Sequence, residues 1–157
     1  MIFIKKSRKI IVFFFTLTTL TLFLSSCKDD PLEPDMDHFE AEGLVLYQSG
    51  IKVAEIFRGV TQDTLFAVEG QRTSHFEVKF YNANKQELDP PDHTKQPFAW
   101  EIQDTSIVGT WQHPGEEGSY EFHLEGKRVG VTQIEFFIMH EGHADFRSGK
   151  IPVKVTN

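Results

Sequence analysis

Alternation with a period of two residues dominates the chain beyond its first forty positions. Phe76, Val78 and Phe80 alternate with Glu77, Lys79 and Tyr81; Phe98, Trp100 and Ile102 alternate with Ala99 and Glu101; Tyr120, Phe122 and Leu124 alternate with Glu121, His123 and Glu125. Thr132, Ile134, Phe136 and Ile138 share one side of a further segment, and Ile151, Val153 and Val155 share one side of another. Successive side chains of an extended strand point to opposite faces, so each segment predicts a strand with one buried and one wetted face. Less regular apolar runs at 44–47, 51–57 and 65–68 predict three more. Turn formers lie between them: Ser49-Gly50, Glu69-Gly70, Asn82-Ala83-Asn84, Asp89-Pro90-Pro91, His113-Pro114-Gly115 and Gly126. No amphipathic helical repeat interrupts this pattern. Seven to nine short strands predict an all-β fold, an antiparallel β-sandwich, with a closed barrel as the alternative architecture.

The 157 residues leave room for one such domain. Of fifteen Phe, ten lie beyond residue 37 with both Trp, and they supply enough apolar volume to fill its core. Charge is unevenly placed. Of 16 basic residues, Lys5, Lys6, Arg8 and Lys9 stand at the start, whereas all 23 acidic residues follow residue 27. The later part is therefore strongly acidic, which repels phosphate backbones and argues against nucleic-acid binding. The chain has one cysteine, Cys27, so no internal disulfide framework exists.

The basic start leads into an apolar run at 10–24, about the length of a signal-peptide core and shorter than the ~20 residues a spanning helix needs. An uncleaved membrane helix is the competing reading, weakened by Thr16, Thr18, Thr19 and Thr21 inside the run. The run ends in Leu24-Ser25-Ser26-Cys27, which resembles the lipobox of bacterial lipoproteins. The resemblance implies cleavage before Cys27 by signal peptidase II, a thioether-linked diacylglycerol on its sulfur and acylation (palmitate or similar) of its freed amine. Several acyl chains at about 0.8 kcal/mol per buried CH₂ make a stable anchor. The next residues, Lys28-Asp29-Asp30, resemble the surface-export patch of Bacteroidetes-type lipoproteins. The expected location is the outer membrane, facing the cell surface. The organisation follows: a signal peptide at 1–26, a lipidated cysteine with an acidic, proline-bearing flexible tether at 27–37, and the β-domain at 38–157.

The stretch from Gly126 through Gly130 and Thr132 to Phe136, followed by Ile151, Val153 and Val155, looks like the closing strands of bacterial immunoglobulin-like domains. That resemblance implies a spacer, adhesion or binding module. A fold by itself does not select among these.

The most suggestive chemistry lies in Met139-His140-Glu141-Gly142-His143-Ala144-Asp145-Phe146. His140 continues the phase of Ile134, Phe136 and Ile138. Glu141-Gly142 can turn the chain and fold His143 and Asp145 back toward it. At the domain entrance, His38 and Glu40 share a strand face. Imidazole nitrogens with carboxylate oxygens suit zinc first, and also iron or copper. His38, Glu40, His140, His143 and Asp145 are therefore candidate ligands, on the assumption that the first strand lies beside the end of the 131–140 strand. The plainer alternative has His140 and His143 bonding the hairpin backbone, with Asp145 capping the turn. His75 and His123 fall on polar strand faces, His93 and His113 in loops. Trp111 is assigned to a loop, either plugging the sandwich or contacting a ligand. No Gly-x-Ser-x-Gly elbow, phosphate loop or cysteine nucleophile is present, so the expected function is a non-enzymatic envelope module binding an unidentified envelope protein or ligand, with a metal-binding lipoprotein as the alternative.

Overall fold

The computed structural model describes residues 38–157. The expected signal peptide, Cys27 and the expected tether lie outside these residues. The described part forms one compact unit with its own core. Ten strands build it: β1 (Gly43–Gln48), β2 (Ile51–Phe57), β3 (Leu65–Val68), β4 (Phe76–Tyr81), β5 (Glu87–Leu88), β6 (Phe98–Ile102), β7 (Val108–Trp111), β8 (Glu121–Gly126), β9 (Gly130–His140) and β10 (His143–Thr156). Among the described residues no helix is long and apolar enough to cross a membrane.

The strands form two sheets. The first runs β2-β1-β4-β8-β7, with the two-residue β5 paired to β4; the second runs β3-β10-β9-β6. The fold is a β-sandwich. Three details differ from the sequence reading. β5 and β7 raise the strand number to ten, and Trp111 ends β7 rather than lying in a loop. β10 is far longer than the 151–155 segment that alternation marks, because its first half carries two register shifts that break the period. β3 pairs with β10 in parallel, so the second sheet is mixed. No local pattern announces that last pairing, since parallel neighbours cannot be joined by a hairpin.

Period-two segments turn their apolar side inward. Phe76, Phe80, Phe122, Phe136, Ile134, Ile138 and Ile151 are buried with at most 1 % of their surface exposed. Aromatic rings pair within and between the layers: Phe76 stacks on Phe122 at 5.1 Å between centroids in the first sheet, Phe98 on Phe136 at 5.2 Å in the second, and Phe122 meets Phe136 at 5.2 Å across the two. Such offset and tilted pairs add to the burial of about 150–250 Å² per ring. The two sheets approach closely where β3 ends and β8 closes. A Cβ on Gly126 would meet the Val68 carbonyl oxygen at 2.1 Å, so only glycine fits this crossing.

An ion-pair cluster ties β2 to the β4–β5 connection. The Glu55 carboxylate accepts from Lys85 Nζ at 2.6 Å, Lys52 Nζ at 2.9 Å and the Tyr81 hydroxyl at 3.0 Å. The Lys85 and Lys52 hydrogen bonds, against the opposing effect of burial and with help from Tyr81, hold the Glu55 carboxyl down at about 2. A depressed carboxyl contributes stability that is complete above its ordinary range and is lost as pH falls through the folded value. Glu55→Gln is therefore expected to cost about 1–2 kcal/mol at pH 7, because the site is partly solvated. The difference from the parent should shrink steadily as pH falls from about 4.5 toward 2. Urea midpoints at pH 7 and pH 3 measure this, and an equal gap at both would refute the assignment.

Candidate functional site

The β9–β10 hairpin positions three of the candidate ligands. Its two-residue turn, Glu141-Gly142, has positive φ at both positions (45° and 85°). That conformation matches the right-handed twist of flanking strands and closes the tightest hairpins. His140 and His143 become direct partners across the turn. His140 keeps the inward phase of Ile134, Phe136 and Ile138, which buries its ring at the rim of the core.

Asp145 reaches the same place through a β-bulge. The register passes from Ala144↔Met139 to Phe146↔Ile138, so Asp145 is the extra residue. A bulge re-aims a side chain without ending the strand. Here Phe146 still enters the core while the Asp145 side chain, only 2 % exposed, faces the two histidines.

His38 arrives from the other end of the domain. Phe39 anchors it by packing edge-on to Phe80 at 5.2 Å, and Glu42 N–H donates to the Tyr81 carbonyl at 2.8 Å. The His38 ring then lies 5.3 Å from each of the His140 and His143 rings, which are 6.0 Å apart.

Asp145 is the hub. Its carboxylate receives His38 Nδ1 at 2.8 Å, His143 Nε2 at 3.0 Å and Gln96 Nε2 at 3.2 Å, with His140 Nδ1 at 3.5 Å and the Phe39 N–H also directed to it. An ionised carboxylate only accepts, so the bonded Nδ1 of His38 carries a hydrogen here. Burial pushes the Asp145 carboxyl up, but the His38 hydrogen bond and charge, the Phe39 amide and His140 together bring it below its ordinary value. Asp145 is thus held as an anion inside a ring of imidazoles.

His38, His140, His143 and Asp145 each offer one ligand atom, and the four atoms lie within 4.8 Å of one another. Ligand atoms around a tetrahedral zinc are about 3.3 Å apart, given zinc–ligand bonds of about 2.0–2.1 Å. His38 (37 % exposed) and His143 (53 % exposed) have solvent beside them in which to turn toward the two buried members. The set is a borderline-soft N₃O donor group, suited to zinc.

Glu40 does not join it. It lines the adjoining concavity with Glu42, Asn82 and Asn84, but it is exposed and stands outside the four-residue group. The chain after Phe39 follows β4 toward β1 and carries Glu40 away. Gln96 is the member that sequence reasoning did not reach. It is a buried loop amide with no period or motif to mark it.

The other histidines divide. His75, His93 and His113 are exposed. His123 is half-buried, and its Nδ1 bonds the Thr73 carbonyl at 2.8 Å, so solvation alone does not account for it. Trp111 carries the Arg72 guanidinium over its ring at 3.7 Å.

No protein-family model matches the chain, and no curated protein is similar to it. Among solved structures, similarity is found to domains 4 and 5 of the S-layer protein SbsC, at 16 % identity and a TM-score of 0.41, covering 60 % of this chain and 47 % of that one. SbsC domains 5–6 give 16 % identity and a TM-score of 0.40, over 59 % of this chain and 39 % of that one. SbsC domains 4–9 give 16 % and 0.41, over 59 % and 13 %. The chain spans less than half the length of each. Likenesses this distant carry no functional argument.

Proposed function

We propose that this chain is a lipid-anchored cell-envelope protein whose β-sandwich binds a transition-metal ion, zinc first, on His38, His140, His143 and Asp145. One observation carries the reading: four side chains from two distant chain segments bring their ligand atoms within 4.8 Å, around a carboxylate already held as an anion. Four protein ligands complete a tetrahedral zinc shell and leave no position for a reactive water, so the site serves binding rather than catalysis. The acidic surface beyond Cys27 raises the local concentration of cations. Iron and copper are the alternative occupants.

Two experiments test it. Calorimetric titration of the intact, detergent-extracted chain with zinc should show an event tighter than about 1 μM, equivalent to roughly 8 kcal/mol. Absence of any such event removes the metal reading. For the anchor, Cys27→Ser should move the protein out of the membrane fraction, and mass spectrometry of the parent should find diacylglycerol on Cys27. A free thiol on a chain that keeps residues 1–26 would overturn that half.

A further inference from the structure

A second group of imidazoles lies on the outer face of the first sheet. The β4–β8 pairing Phe76↔Phe122 sets His75 opposite His123, and the β7–β8 pairing sets Trp111 opposite His123 on the other side. His113 follows two residues after Trp111. The His123 ring lies 5.4 Å from His113 and 6.2 Å from His75. Around Asp145 the three rings are mutually close, at 5.3, 5.3 and 6.0 Å, whereas here His75 and His113 flank His123 from opposite sides and must turn toward it.

His123 is the decisive member. The Thr73 carbonyl can only accept, so Nδ1 must carry the hydrogen and the neutral ring presents its lone pair at Nε2. Thr73 is itself held by β8: its N–H donates to the Leu124 carbonyl at 2.9 Å, and its hydroxyl accepts from Leu124 N–H at 3.0 Å. The backbone therefore imposes the tautomer. Nε2 is fully buried and has no hydrogen-bond partner. A buried acceptor left unmatched is unfavourable and calls for an explanation. An imidazole fixed through one nitrogen by a carbonyl, with the other nitrogen free, is the arrangement that metal-ligating histidines adopt.

The surrounding charge suits a cation. Glu77 and Glu121 are paired in register two residues from His75 and His123, on the same face, and both are exposed. The adjacent positive group, Arg72, is stacked on Trp111 at 3.7 Å and neutralised by Glu125 at 2.6 Å.

We propose that His123 Nε2, with the exposed His75 and His113 turning in from either side, forms a second site for a borderline divalent ion of the zinc or copper(II) class. It is independent of the Asp145 site, with which it shares no residue.

The test uses the intact, detergent-extracted chain with zinc alone, then copper(II) alone. Zinc calorimetry should count two equivalents in the parent and one in His140→Ala. The double variant His75→Ala/His113→Ala, at exposed positions where folding is not at risk, should lose the other equivalent and keep the first. Copper(II) should quench Trp111 fluorescence in the His140→Ala background. That quenching should fall at least fivefold in the triple variant that adds His75→Ala and His113→Ala. One equivalent in the parent that vanishes with His140→Ala, or two equivalents surviving the double variant, would overturn the second site. Because different substitutions empty the two sites, failure of one is read separately from failure of the other.

Discussion

Replacing His140 with alanine is expected to weaken zinc binding at the Asp145 site by on the order of 100-fold or more, while the domain stays folded. The ring sits between the core and the ligand cluster, directly opposite His143 across the hairpin. Removing it would take one of the four proposed ligands from a tetrahedral shell, and the three that remain would have to recruit water. The loss exceeds what an exposed ligand would show, because His140 is buried and pre-positioned whereas His143 is exposed. His143→Ala should accordingly cost less than His140→Ala, and Glu40→Ala should cost nothing measurable, since Glu40 stands outside the group. Competition with a chromogenic zinc chelator ranks the three variants. A His140→Ala protein that binds as tightly as the parent, or a Glu40→Ala protein that binds far more weakly, would contradict the ligand set.

Phe136→Ala is expected to remove about 3–5 kcal/mol of folding stability, a large share of the roughly 5–15 kcal/mol that a domain of this kind has in total. Phe136 is completely buried in β9 and touches aromatic rings from both layers, Phe98 at 5.2 Å and Phe122 at 5.2 Å. Its backbone N–H also donates to Ser148 Oγ at 2.9 Å, which ties β9 to the second register shift of β10. The side chain is thus one of the contacts between the sheets and lies four residues from His140 on the same inward face. Phe136→Leu, which retains most of the volume, should cost distinctly less. Urea denaturation followed by tryptophan fluorescence gives both values. A loss below about 1 kcal/mol for the alanine variant would mean that the core closes over the vacancy, contrary to the close packing on which the fold rests.

Much of the fold and part of the candidate site are legible without coordinates. Phe76, Val78 and Phe80 point inward as their alternation requires, and so do Ile134, Phe136 and Ile138. The Glu141-Gly142 turn and the return of His143 toward His140 follow from a glycine free to take positive φ between two extended segments, and Glu141 adopts positive φ beside it. β7 was not legible: Val108-Gly109-Thr110-Trp111 is too short to establish a period, and Gly109 with Trp111 reads as a loop. Glu40 was assigned to the ligands because i and i+2 share a strand face. That rule fails here since residues 38–42 are not yet in a strand.

What the sequence by itself determined is local: which segments extend, which face of each is apolar, where the hairpin turns, and the strong acidity that follows Cys27. Each depends on neighbours a few residues apart, whose geometry the backbone transmits directly. Tertiary structure alone decided that β3 lies parallel to β10, that Asp145 occupies a bulge, and that His38 meets Asp145 across 107 residues of chain. Such pairings are chosen by how whole sheets pack and which buried groups find partners, and no short-range pattern carries that information.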